Sequence, residues 1–184
     1  MSSTKLSRRK FMQLAAVGVG SLGIAGGCRG QRAPGLHFFA LNEARLVEAI
    51  ADQIIPPDEW PGGRESGVMN FIDRQLAGPY RRYQSDYRTG LKAIDDECMG
   101  RFGKIFEALS WEQQLSFLKE MESGALNQGV WRGGLSRRFF NLLRSHSLQG
   151  YYGSPRHGGN KNFASHKMLG LDYPQILGRN RHSS

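Results

Sequence analysis

Tyr80, Tyr83, Tyr87, Leu91, Ile94, Cys98 and Phe102 recur at intervals of three or four residues, and no other feature limits the fold of this chain so strongly. The row predicts one helix of about six turns carrying a continuous apolar stripe. The tyrosines read as core side chains whose hydroxyls reach the edge, rather than as a redox relay. Cys98 lies on the same stripe and reads as a buried thiol.

Other segments share the helical period. Leu46, Val47, Ile50, Ala51 and Ile54 predict a helix from Asn42, its N-cap, to Ile55, where Pro56 and Pro57 stop it. Residues 56–66, with Gly62 and Gly63, read as a loop. Val68, Phe71, Ile72 and Leu76 predict a short helix from Gly67 to Ala77, ended by Gly78-Pro79. Ser110 and Gln113 form a capping-box pattern ahead of Leu115, Leu118 and Met121, the expected buried face of a fourth helix. A glycine-rich break at 124–134 precedes a fifth helix from Ser136 to Gln149, with Phe139, Phe140, Leu142, Leu143 and His146. Gly150 to Gly170 shows little periodicity and reads as a long ordered surface loop. No segment alternates with period two. The expected fold is all-α, a single small domain of about five helices with a long ordered C-terminal loop. It spans residues 38–174 and is followed by a flexible tail at 175–184.

Ahead of that domain, Ser7-Arg8-Arg9-Lys10-Phe11-Met12 matches a twin-arginine export signal, with Ser7, Arg8, Arg9 and Phe11 as its elements. The apolar run to Gly27 holds five glycines and is shorter than the roughly 20 residues of a membrane span. Residues 1–27 are therefore read as a signal peptide that engages the twin-arginine translocase. Leu22 to Cys28 resembles a lipobox, and an acylated Cys28 would tether residues 28–37 to the inner membrane surface. The expected location is the periplasm, associated with the membrane. Nucleic acid is an implausible partner there. The formal charge of +9 includes Lys5, Arg8, Arg9 and Lys10 of the signal, which has no acid, so the remaining chain carries +9 − 4 = +5. That mild basicity suits anionic headgroups or an acidic partner subunit.

Chemistry-bearing motifs are scarce. No GxGxxG follows a strand, and no phosphate-binding Walker loop or HExxH occurs. Cys28 and Cys98, with no CxxCH, exclude a c-type haem attachment within this chain. His37, His146, His157, His166 and His182 lack ligand spacing, and His146 reads as a hydrogen-bonded core histidine. Asp58-Glu59 and Asp95-Asp96-Glu97 read as solvated charge rather than paired acid–base groups. No catalytic, cofactor-binding or metal-binding residue is expected.

Three segments together resemble the gluconate 2-dehydrogenase subunit 3 family. They are Phe38 to Pro56 with Leu46-Val47-Glu48-Ala49-Ile50, Gly67 to Tyr80 with Phe71-Ile72-Asp73-Arg74, and Gly150 to Asn160 with Tyr151-Tyr152-Gly153. The resemblance implies a small, non-catalytic subunit of a membrane-associated FAD-dependent sugar or sugar-acid dehydrogenase of the GMC type. FAD would belong to a large catalytic subunit and haem c to a multihaem cytochrome c subunit that takes the electrons. The small subunit would carry the export signal for the catalytic one and support its maturation. Pro56, Pro57, Tyr151, Tyr152, Gly153, Pro155, Arg156, Gly158, Gly159 and Asn160 are expected at the partner interface. Their glycines and prolines permit close backbone approach, and tyrosine and arginine suit anchoring. The alternatives are a free-standing periplasmic lipoprotein that binds a small ligand and a membrane anchor for another exported oxidoreductase.

Overall fold

The stripe that dominates the sequence folds in two pieces. In the computed structural model, which describes residues 34–127 and 129–171, Tyr80 precedes a 3-10 turn at Arg81–Tyr83 and the α-helix begins only at Gln84. The spacing survives because a 3-10 turn places residues i and i+3 on one side. Tyr87, Leu91, Ile94 and Cys98 are buried, whereas Tyr80, Tyr83 and Phe102 are only half-buried.

The described residues form α1 (Leu41–Ile54), α2 (Val68–Ala77), α3 (Gln84–Phe102), α4 (Trp111–Ser123), α5 (Leu135–Tyr152) and α6 (Ala164–Met168). They contain no strand, so the fold is all-α. None of these helices is long and apolar enough to cross a membrane. α5 packs against every other helix and forms the hub of the domain. Its Phe139, Leu143 and His146 are buried, and Phe139 meets α3 where that helix carries Gly90. A Cβ at Gly90 would lie 2.3 Å from the Phe139 ring, so the two helices reach this distance only with glycine there.

Asp73 fixes the entry of the chain. Its carboxylate is 1% exposed and accepts the backbone N–H groups of His37 (2.6 Å), Phe38 (2.8 Å) and Phe39 (2.8 Å). Phe38 and Phe39 thereby enter the core, with the Phe39 ring 5.8 Å from that of Tyr87. Packing against the core already begins at Leu36. Asn42 is not the cap of α1. Ala40 holds that position, and the Glu43 carboxylate reaches back to its N–H at 2.8 Å. Ser110 does cap α4, with Gln113 N–H donating to its Oγ at 3.3 Å and Ser110 N–H to Gln113 Oε1 at 3.0 Å.

The buried face of α4 differs from the expected one. Leu115 is 37% exposed, and Gln114, Phe117, Leu118 and Met121 point inward. Gln114 tolerates burial because it donates to Phe106 O (3.0 Å) and accepts from Gln53 Nε2 (3.0 Å). The glycine-rich break contributes Trp131, which is fully buried. Glu97, grouped above with solvated acids, is also buried and lies 3.9 Å from Arg101. The segment 150–170 is ordered but is not one loop: α5 continues to Tyr152, 3-10 turns occupy Pro155–His157 and Lys161–Phe163, and α6 follows.

Gly90→Ala is expected to destabilise the domain by about 1–3 kcal/mol through overpacking against Phe139. Gly100→Ala, in the same helix with nothing within 4 Å of its added Cβ, should be neutral or stabilising by up to about 1 kcal/mol. Urea midpoints of the two variants test the pair, and equal shifts would contradict the close α3–α5 contact.

Candidate functional site

The two loops expected to face a partner are brought together by the fold. Tyr151 is buried and its hydroxyl donates to Pro61 O at 3.1 Å. Lys161 N–H donates to Ser66 O at 2.9 Å. Asn160 is fully buried, donates from Nδ2 to Gly153 O (2.9 Å) and accepts Ser165 N–H on Oδ1 (3.0 Å). Gly159 lies so close to α5 that a Cβ would stand 2.1 Å from Gly150 O. Asn160, Asn162 and Phe163 all adopt positive φ, a conformation that costs energy in non-glycine residues, and Asn160 is held in it by its two side-chain hydrogen bonds.

The expected interface residues therefore fall into two groups. Tyr151, Gly159 and Asn160 face inward and lock the segment onto α5 and the 61–66 loop. Pro56, Pro57, Tyr152 and Arg156 are exposed, while Gly153, Pro155 and Gly158 are half-buried. Asp58 is exposed too, and its carboxylate accepts the Trp60 N–H at 2.8 Å.

Beside Tyr152 lies an aromatic cluster built on His146. Tyr87 Oη is 3.0 Å from His146 Nδ1, with both groups buried. The Tyr80 ring stacks on the imidazole at 4.5 Å, and Tyr83 meets it edge-on at 5.3 Å. The Tyr80 hydroxyl donates to Gln149 Oε1, which fixes the ring. Burial first, and the Arg82 charge second, push the His146 pKa down to about 4. His146 is thus a neutral, hydrogen-bonded core residue. The Cys98 thiol is free, and burial pushes it up to about 12, far from reactive thiolate character.

His157 is exposed and accepts from Arg156 Nε at 3.0 Å, and His166 stacks near Phe163. Among the described residues, no group of three or more His, Cys, Asp or Glu side chains could hold a metal ion. Ser7, Arg8, Arg9, Phe11, Cys28, His182 and the tail from 175 lie outside the described residues. Hydrophobic periodicity missed three positions that shape this region. Asp73 is the single carboxylate of α2, beside inward Ile72, and Leu148 and Gln149 flank the Tyr80 ring on α5.

The chain matches the family described as gluconate 2-dehydrogenase subunit 3 over residues 42–172, and it belongs to that family. Neither the curated proteins nor the solved structures yield a match.

His146 makes stability depend on pH in a defined sense. Its imidazole takes a proton near 6.5 when unfolded and only near 4 when folded. The unfolded state binds more protons in that window, so the His146 contribution is complete above 6.5 and is lost as pH falls toward 4. Asp95, pushed up to about 6 by burial and then by Glu107, Asp96 and Glu43, acts in the opposite sense between 3.8 and 6. The His146 share is therefore read by comparing wild type with His146→Gln. Between about pH 7 and about pH 5 the urea midpoint of wild type should fall further than that of the variant. Parallel profiles would contradict a neutral, buried His146.

Proposed function

We propose that this chain is the non-catalytic small subunit of a membrane-associated, FAD-dependent dehydrogenase of the GMC type that oxidises gluconate or a related sugar or sugar acid. Its large partner subunit holds FAD, and a multihaem cytochrome c subunit receives the electrons. The chain carries the twin-arginine signal that takes the folded catalytic subunit into the periplasm, and it supports that subunit's maturation. Acylation at Cys28 then keeps the assembly at the inner membrane surface.

The family match over residues 42–172 carries this reading. The sequence Ser7-Arg8-Arg9-Lys10-Phe11 ahead of the domain supports the export role. The exposed Tyr152 and Arg156 support a subunit role, since these residue types anchor interfaces.

Replacing Arg8 and Arg9 by Lys in the native host tests the escort role. Both this chain and a flavin-bearing large subunit should then remain in the cytoplasm, and periplasmic gluconate-dependent dye reduction should drop to the level of a strain lacking this chain. A flavoprotein that still reaches the periplasm would contradict the proposal. Cys28→Ser should leave turnover intact while releasing the complex from the membrane into the soluble periplasm.

A further inference from the structure

Arg138, Asn141, Ser145, Leu148 and Tyr152 recur at three- and four-residue intervals along α5, and all are exposed. Two open hollows lie along this row, on either side of the Tyr80–Tyr83 pair. The first, about 310 Å³, is lined by Tyr83 and Asp86 opposite Arg138 and Leu142. The second, about 600 Å³, is lined by Phe71 and Tyr80 opposite Leu148 and Tyr152, and continues to His157. The Tyr80 and Tyr83 rings meet edge to face at 6.0 Å, so the floor stays aromatic between the hollows. The row from Arg138 to Tyr152 spans about 21 Å, the length of about four helical turns.

The charge around this groove is mainly basic, with Asp86 the one carboxylate in the lining of the two hollows. From Ser123 to Leu171 the chain has seven Lys and Arg residues and no Asp or Glu. Arginines on the α4 side of α5 are committed: Arg144 pairs with Glu122 at 2.9 Å, and Arg137 donates to the Glu122 and Ser123 carbonyls. Those along the groove are not. Arg82 lies over the Tyr83 ring and donates to its hydroxyl, and Arg156 donates to His157. Among the described residues, Arg82, Arg138 and Arg156 form no ion pair with a carboxylate.

We propose that this groove docks an acidic amphipathic helix of the catalytic flavoprotein subunit, its apolar side on Tyr80, Leu148 and Tyr152 and its carboxylates on Arg82, Arg138 and Arg156. The inference rests on the reading of this chain as a small subunit. A concave, aromatic floor with basic rims is the complement of such a helix. A flat lipid surface meets the rim alone and leaves the floor uncovered.

A photoreactive benzoylphenylalanine at Asn141 or at Leu148 of the full chain, expressed in the native host, tests the groove. Met99 and Leu115, exposed on α3 and α4, serve as control positions. After irradiation the tagged chain is isolated, its flavin absorbance recorded and the cross-linked peptide sequenced. The expected result is an Asp- or Glu-rich peptide of the flavin-bearing subunit from positions 141 and 148 and none from the controls. Arg138→Glu with Arg156→Glu should lower co-purified flavin about tenfold at unchanged thermal midpoint. Cross-links to lipid, cross-links to a segment without acids, or co-purified flavin with no cross-link from 141 or 148 would each overturn the groove and leave the subunit reading standing. An eluate without flavin from the unsubstituted chain would overturn the subunit reading and the groove with it.

Discussion

Close approach to α5 is the constraint from which the rest of the domain follows. α3 reaches it at Gly90, beneath the Phe139 ring, and the 158–163 segment reaches it at Gly159, against the carbonyl of Gly150. Both contacts remove the space a Cβ would fill. With these faces sealed, Phe139, Leu143 and His146 are buried and α5 becomes the hub for α1, α2, α3, α4 and α6. What α5 leaves to solvent is the row Arg138, Asn141, Ser145, Leu148 and Tyr152, with Arg137, Arg144 and Gln149 beside it.

Helix existence was legible wherever the apolar period was unbroken, and helix ends were legible where side-chain chemistry marks them. Pro56-Pro57 ends α1, and Ser110 with Gln113 opens α4 as the capping-box pattern requires. The Tyr80–Tyr83 interval concealed a change of helix type, because a spacing of three satisfies a 3-10 turn as well as an α-helix. Gln114 and Asp73 were invisible to hydrophobic patterning for a related reason. Their burial rests on hydrogen bonds to Phe106 O and to the N–H groups of residues 37–39, partners that only the tertiary fold supplies. Trp131 lay in a glycine-rich stretch with no period to place it, yet it is fully buried. The family resemblance was carried by the segments that build α1, α2 and the end of α5, and the family match spans them.

The candidate surface was legible in part. The two loops chosen for their glycine, proline and tyrosine content do converge, but much of that content serves to lock them together. Tyr151 gives its hydroxyl to Pro61, and Asn160 ties Gly153 to Ser165. Glycine marks close backbone approach without saying whether the neighbour belongs to the same chain. The exposed residues of the segment, Tyr152 and Arg156, border instead the aromatic groove along α5. A preformed surface of this kind leaves little ordering to do on binding, which suits the subunit role proposed above.

Native-state amide hydrogen exchange of the full chain reads how rigidly the 150–168 segment is held against α5. The Lys161 amide, bonded to Ser66 O, and the Ser165 amide, bonded to Asn160 Oδ1, report the locked segment. They should exchange with the same opening free energy as the Leu143 amide at the centre of α5, as parts of one cooperative unit. Exchange of Lys161 and Ser165 near the rate of unprotected amides, with Leu143 still slow, would show that the 150–168 segment is not welded to the hub and would contradict the account.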